Sequence, residues 1–494
     1  MASIGKSSGK GSDKSSLKIS SKARNQSAPF AKSNSKTISD VTLYEYDYVS
    51  TDEKAKQSIS VGNKKVHWIS NSAFEYLKKR CLSEQSESRF LQLRLSRGME
   101  MLQVQNYAGV VLCPDATQIE ILPKVARHNA QEDASVLARK SLLKMLQSLK
   151  QFRHIKTNSA NINQQKMPLL EIFISQFLNS VKELVKKGIK HDYQRQQSNN
   201  TFLKGKLLHA KQLKHNFIHR YKFYVEFNNY VADRVENKLL HSALKTVASY
   251  TRLNSNKRLV HELLFAFDGI ELSQDYQQDF DAITPQRGMQ HYQVPLSWAK
   301  LILFGFSPQT MLGEHHAFSL LFPMEAIFES FVAQHLKQIL PKTLTLSTQV
   351  QKHHLVSFDG QGYFRLKPDL YLTGLESSLE NNPENGLKND KVILDTKWKL
   401  INSDKTSRKG KFGLAQSDFY QMLGYGYKYL NGVGKMVLIY PKTSQFDAPL
   451  IHDFYYDEAR QLSLKVVPFD ISHDCSERID IKALLGVVIG EHKT

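Results

Sequence analysis

The chain has 494 residues, a formal net charge of +20, 41% hydrophobic residues and 23% charged residues. That length and balance support two or three domains with cores of their own and exclude a wholly disordered chain. Three cysteines, Cys81, Cys113 and Cys475, lack pairing or Cys-x₂-Cys spacing, which argues against a disulfide framework or a zinc site. No apolar run reaches the ~18–20 residues that span a bilayer, and the N-terminus lacks the apolar segment of a secretory signal, so a cytoplasmic protein with no membrane partner is expected.

Residues 1–40 form a basic Ser/Lys-rich tail, with eight Lys/Arg and one Asp in positions 1–36. It holds too little apolar surface to order itself. Residues 41–135 read as a small β-rich domain. Alternating stretches such as Leu91-Gln-Leu-Arg-Leu95 and Gln118-Ile-Glu-Ile-Leu122 are separated by turns at Ser96-Arg-Gly98 and Pro114-Asp115. Residues 136–305 are expected to be helical. One apolar stripe runs from Leu170 through Phe173, Ile174, Phe177 and Val181 to Val185 and stops at Gly188, and a second runs from Val235 to Val247. Between the stripes, Lys182 to Lys222 carries eleven Lys/Arg against Glu183 and Asp192. Bound nucleic acid is the natural counter-charge for that patch, and a solvated face is the alternative.

Residues 306–494 carry the residues that suggest chemistry. In Arg365-Leu-Lys-Pro-Asp-Leu-Tyr-Leu-Thr373 a strand is expected, with Leu366, Leu370 and Leu372 on one face and Asp369 and Tyr371 on the other. In Val392-Ile-Leu-Asp-Thr-Lys-Trp-Lys-Leu400, Asp395 and Lys397 project from one side, about 6–7 Å apart along the strand. Two acidic residues and a lysine in this order can hold Mg²⁺ and cut a phosphodiester; hard oxygen ligands without Cys or His favour that ion. Upstream, Met324 to Leu336 has helical spacing, with Glu325 and Glu329 one turn apart. Downstream, Ser417 to Tyr429 reads as a helix capped by Ser417 or Asp418, followed by the strand Lys435–Tyr440. The polar insertion Glu376–Asp390 reads as a loop.

The order of helix with Glu, strand with Pro-Asp, strand with Asp-x-Lys, helix with Gln, and strand resembles the PD-(D/E)XK nuclease core over roughly residues 315–470. A wider resemblance is to the McrC family, the nuclease subunits of McrBC modification-dependent restriction systems. It is carried by Asn106-Tyr-Ala-Gly-Val-Val111, Ile119-Glu-Ile-Leu-Pro-Lys124, Lys187-Gly-Ile-Lys-His-Asp-Tyr193, Phe202-Leu-Lys-Gly-Lys-Leu207, Asp233-Arg-Val-Glu-Asn-Lys-Leu-Leu240 and Met324-Glu-Ala-Ile-Phe-Glu329. The resemblance implies an α+β multidomain protein: a β-rich N-terminal domain, a helical motor-docking region and a C-terminal nuclease core with a mixed sheet. It implies Asp369, Asp395 and Glu329 as metal ligands, with Glu325 the competitor for the helix position. Lys397 would position the attacking water and Gln421 would orient a catalytic group. No Gly-x₄-Gly-Lys-Ser/Thr string occurs, so this chain binds no nucleotide through a P-loop of its own. By the resemblance, GTP is bound by a partner, an McrB-like AAA+ GTPase hexamer, and the substrate is double-stranded DNA carrying modified cytosine of the 5-methylcytosine type. Two other readings stand beside this one: a catalytically inactive adaptor that only stimulates the GTPase, and a stand-alone metal-dependent DNase.

Overall fold

Apolar alternation in the first part of the chain builds two sheets. A five-stranded sheet has the order Ser60–Val61, Lys64–Trp68, Tyr48–Ser50, Met99–Val104 and Leu91–Ser96. A four-stranded sheet has the order Asp40–Tyr44, Gln118–Leu122, Tyr107–Leu112 and Ser319–Pro323. Its last strand comes from far along the chain and pairs antiparallel with Tyr107–Leu112. Gly109, at φ +142°, permits that pairing, because a Cβ there would stand 1.8 Å from the Leu320 carbonyl oxygen. The computed structural model describes residues 40–484 except 58, 84–89, 97, 126–133, 150–166, 285–286, 305–318, 375–390, 407–409, 473–476 and 481–483. Phe306, where the nuclease region is expected to begin, the insertion Glu376–Asp390, Cys475 and all of the tail but Asp40 lie outside the described residues.

The apolar stripes of the middle region form helices. Leu169–Lys187 buries Leu170, Phe173, Phe177 and Val181 and ends at Gly188, φ +96°, where a left-handed residue terminates the backbone ladder. Val235–Tyr250 buries Leu239, Leu240, Ala243, Leu244 and Val247. Between them the chain departs from a purely helical region: Lys206–Leu207, Phe223–Val231 and Asp192–Asn200 make a three-stranded sheet of their own. Tyr193, Phe217, Ile218, Tyr221 and Tyr230 are exposed on this basic arm.

The six-stranded C-terminal sheet is mixed, in the order Leu344–Thr348, Leu370–Gly374, Lys391–Thr396, Gly434–Pro441, Leu462–Phe469 and Phe454–Tyr455. Leu370–Gly374 pairs antiparallel with both of its neighbours, whereas Lys391–Thr396, Gly434–Pro441 and Leu462–Phe469 run parallel. The two-residue period sorts its side chains to two faces. Leu370, Leu372, Leu394 and Val437 pack with Phe328 and Phe331 of the helix Met324–Ile339. Tyr371, Ile393, Met436 and Leu438 pack with Met422 and Tyr425 of the helix Gln416–Leu430. The first of these clusters is continuous with the core of the middle helices.

Two expectations need correction. Arg365–Thr373 is not one strand: Arg365 ends a two-stranded ribbon made of His354–Phe358 and Gln361–Arg365, and the next strand begins at Leu370. Pro368 has no N–H for a ladder, and the backbone breaks around it. Leu366 therefore packs in the cluster of Tyr371 and Met422, not with Leu370 and Leu372.

Candidate active site

The parallel pairing of Lys391–Thr396 with Gly434–Pro441 places Asp395 inside the sheet, fully buried. Neither of its carboxylate oxygens has a partner in hydrogen-bond geometry, although Oδ2 stands 2.5 Å from the Lys397 ammonium. The ion pair counts despite its angle, since charge attraction at that range is weakly directional. Burial, then the neighbouring charge of Asp369, pushes the Asp395 carboxyl up to about 7, against the opposing pull of Lys397. For Lys397, burial alone would depress the pKa, but Asp395, Asp369 and Asp418 outweigh it and raise it. Lys397 is a cation held in place by acids.

Asp369 lies just before its strand and is held by two donors: Thr396 N at 2.8 Å and Thr396 Oγ1 at 2.7 Å, both to Oδ2. Its backbone carbonyl accepts from Gln349 N at 2.9 Å. Gln349 also donates from Nε2 to Glu329 Oε1 at 2.9 Å. Glu329 is half-buried, and burial followed by the charge of Asp369 raises its pKa. Glu325, one turn earlier, instead acts electrostatically on Tyr46 and Lys124. Glu329 thus feels the charge of Asp369. Among the described residues, no group of three or more His, Cys, Asp or Glu side chains stands close enough to hold a metal ion.

The helix Gln416–Leu430 supplies the rest. Lys397 Nζ donates to Gln421 Oε1 at 2.9 Å, Gln421 Nε2 donates to Tyr425 Oη at 2.7 Å, and Tyr425 Oη donates to the Lys367 carbonyl at 2.9 Å. Gln421 and Tyr425 are one turn apart and so lie on one face. That spacing could have marked Tyr425 as a partner of Gln421, whereas its aromatic character alone suggests packing. Thr396 and Gln349 escape sequence reasoning as well, and Gln349 carries no sequence signal at all. Asp418 does not cap this helix, which starts at Gln416 after Ala415 with no side-chain cap. Asp418 is buried in the first turn, accepts from Tyr440 Oη at 3.1 Å and pairs with Lys399 at 2.8 Å. Lys399, two residues beyond Lys397, is thereby held by Asp418.

Beyond the strand's end at Thr396 the chain meets residues that flank the N-terminal sheets. Lys124 Nζ donates to the Trp398 carbonyl at 2.6 Å and lies over the rings of Tyr46 and Trp398, 4.9 and 5.5 Å from their centroids. Glu45 accepts from Trp398 Nε1 at 2.9 Å and from Lys124 N at 2.8 Å. Burial lowers the Lys124 pKa and raises that of Glu45, each opposed by the other's charge. A buried Glu–Lys–Trp network thus joins Glu45 and Lys124 to the residue next to Lys397.

Fold and site together define an α+β protein with several sheets, whose mixed C-terminal sheet carries a buried carboxylate–lysine centre. The chain matches the family model described as "McrBC 5-methylcytosine restriction system component" over residues 102–441, more than half its length, and belongs to that family. No curated protein matches it. It is similar to a solved structure described as the refined half-complex from the tetradecameric assembly of Thermococcus gammatolerans McrB AAA+ hexamers with bound McrC. That match has 19% identity and a TM-score of 0.60 and covers 87% of this chain and 95% of the other. A second structure, the Thermococcus gammatolerans McrBC complex, matches with 22% identity, a TM-score of 0.45, and coverage of 62% of this chain and 89% of the other. Among the described residues no helix is long and apolar enough to cross a membrane.

Proposed function

We propose that this chain is the McrC-type nuclease subunit of a GTP-dependent restriction system and cuts duplex DNA carrying modified cytosine at a PD-(D/E)XK centre. The observation that carries the reading is the buried Asp395 beside Lys397, with Asp369 near enough to raise its pKa. The buried Asp395 carboxylate is offset by the Lys397 ammonium and repelled by Asp369, so a further cation between the two carboxylates would be favourable. All-oxygen donors suit Mg²⁺, so Asp369 and Asp395 would hold it, with Glu329 a ligand directly or through water. When bound, the ion supplies an acidified water and positive charge against the phosphate. The chain's own groups then divide the remaining work. Lys397 offers its ammonium to the attacking water and to the charge that builds on the phosphate. Gln421 fixes the Lys397 ammonium, Tyr425 fixes Gln421, and Thr396 fixes Asp369.

The domain reading assigns residues 41–135 to a β-rich domain, 136–305 to motor docking and 306–494 to the nuclease. The exposed aromatic and basic side chains of the arm 192–231 favour a protein partner there, and the partner inferred is an McrB-like AAA+ GTPase hexamer. One experiment tests the whole reading: the purified chain is assayed for cleavage of methylated duplex DNA in Mg²⁺, with and without such a GTPase and GTP. Metal-dependent cleavage that requires the GTPase supports it. Cleavage indifferent to the GTPase indicates a stand-alone DNase, and GTPase stimulation without cleavage indicates an adaptor.

A further inference from the structure

The ribbon His354–Phe358/Gln361–Arg365 is inserted between two strands of the nuclease sheet and returns the chain three residues before Asp369. Beyond His354, every residue in its two strands is exposed. A two-stranded ribbon is marginal by itself, so its position depends on its root. There, Leu366 N donates to the His353 carbonyl at 2.9 Å, and Tyr429 Oη donates to the Val350 and Leu366 carbonyls, each at 3.0 Å. Leu355 lies over Gly424 of the Gln421 helix, where an added Cβ would be 3.4 Å from it. The root is therefore held by the helix that holds Lys397, and Lys367 in the return segment is close enough to Glu329 to lower its pKa.

The free part of the ribbon has an unusual surface. Phe358 is 74% exposed and Phe364 is 73% exposed. Val356 pairs across the ribbon with Tyr363, whose ring meets Phe358 edge-on at 6.4 Å. Asp359 and Gly360 make the tip turn at positive φ. From 352 to 367 the cations Lys352, Arg365 and Lys367 face one acid, Asp359. An aromatic tip on a basic root, fixed beside paired carboxylates, does not suit an acidic or purely apolar partner. It suits a polyanion whose grooves expose stackable bases: a two-stranded ribbon fits a DNA groove, and apolar wedges enter between base steps.

We propose that this ribbon is a DNA-reading element of the nuclease. Phe358 and Tyr363 enter a groove next to the bond to be cut, and Lys352 and Arg365 hold the flanking phosphates. The inference rests on the nuclease reading above. It is tested with the full-length chain, made cleavage-defective by Lys397→Ala so that the DNA stays intact, and a methylated duplex as the probe. Adding Phe358→Ala and Tyr363→Ala should weaken duplex binding about tenfold or more, the scale of aromatic–base stacking, with the unfolding midpoint unchanged. Adding Lys352→Gln and Arg365→Gln instead should flatten the log–log salt dependence by roughly one unit for each phosphate deprived of its cation. Unchanged affinity and slope, in a chain whose Lys397→Ala parent binds the duplex and whose wild type cuts it, overturn the ribbon assignment alone. Dissociation of a dimer by Phe358→Ala/Tyr363→Ala, with duplex affinity intact, makes the ribbon a contact between copies and also overturns it. A wild type that neither binds nor cuts duplex overturns the nuclease reading and this inference with it.

Discussion

At the scale of single residues, the centre is defined by one cation among acids. Lys397 pairs with Asp395 and donates to Gln421. Lys397→Ala should reduce single-turnover DNA cleavage about 10²–10³-fold, the cost of one electrostatic stabiliser, and should also lower stability, because it leaves the buried Asp395 carboxylate without its ammonium. Cleavage at a near-wild-type rate with DNA and metal saturating would remove Lys397 from the site. Asp395 makes a second, thermodynamic prediction. Its folded pKa is raised from 3.8 to about 7, so the folded state binds the proton more tightly than the unfolded state. The stability this confers is complete below the unfolded value and is lost as pH rises through the folded one. In metal-free buffer, wild type should therefore lose on the order of 2–4 kcal/mol relative to Asp395→Asn between those two pH values. Denaturant unfolding of both proteins across that window measures it, and a constant difference in stability would show that Asp395 is not the buried acid described.

At the scale of elements, the strand Ser319–Pro323 matters because it leads straight into the Glu329 helix, with Met324 N donating to the Asn106 carbonyl at 3.1 Å. Its seat depends on Gly109, where a Cβ would meet Leu320 backbone atoms rather than a movable side chain. Gly109→Ala should cost roughly 2–4 kcal/mol of stability, the range for a change that combines backbone clash with an unfavourable φ. The helix start should shift with the strand, so cleavage should fall together with stability. A Gly109→Ala protein with wild-type unfolding would mean that the strand is not seated as described. The Glu329 helix itself was legible in the sequence, because seven apolar side chains between Met324 and Leu336 fall on its buried face. The break before Leu370 was less legible: the alternation continues through Pro368, and only the missing N–H betrays it.

At the scale of the molecule, the carboxylate–lysine strand is tied to the N-terminal sheet through Lys124 and Glu45. Glu45 and Lys124 are buried opposite charges, each offsetting the other's burial, and removing one leaves the other less compensated. Lys124→Met should therefore cost about 3–5 kcal/mol, and adding Glu45→Gln should recover part of that loss. The double variant still lacks the Lys124–Trp398 bond, so its cleavage rate should stay below wild type after its stability has recovered. A double-mutant cycle on unfolding free energy, run beside single-turnover cleavage, separates the two effects. Strictly additive single losses would show that Glu45 and Lys124 do not act as a pair.

What could be read from the amino acids alone was whatever depends on local spacing. The spacing of Asp395 and Lys397 suggested that they meet, the helical period put Glu329 and Gln421 on helices, and the order of these pieces resembles a nuclease core. Which of Glu325 and Glu329 feels the charge of Asp369 depends on how helix and sheet pack, and one helical turn cannot say that. Lys399 and Asp418 are 19 positions apart, and only folding brings them together. Alternation places Thr396 on the face away from the chemistry, yet its N–H and hydroxyl hold Asp369, which stands before its strand begins. Lys124 and Trp398 are 274 positions apart, and no periodicity reaches that far. Local repeats set which side a residue faces along its own element; the partner it meets there is decided by the packing of elements distant in the chain.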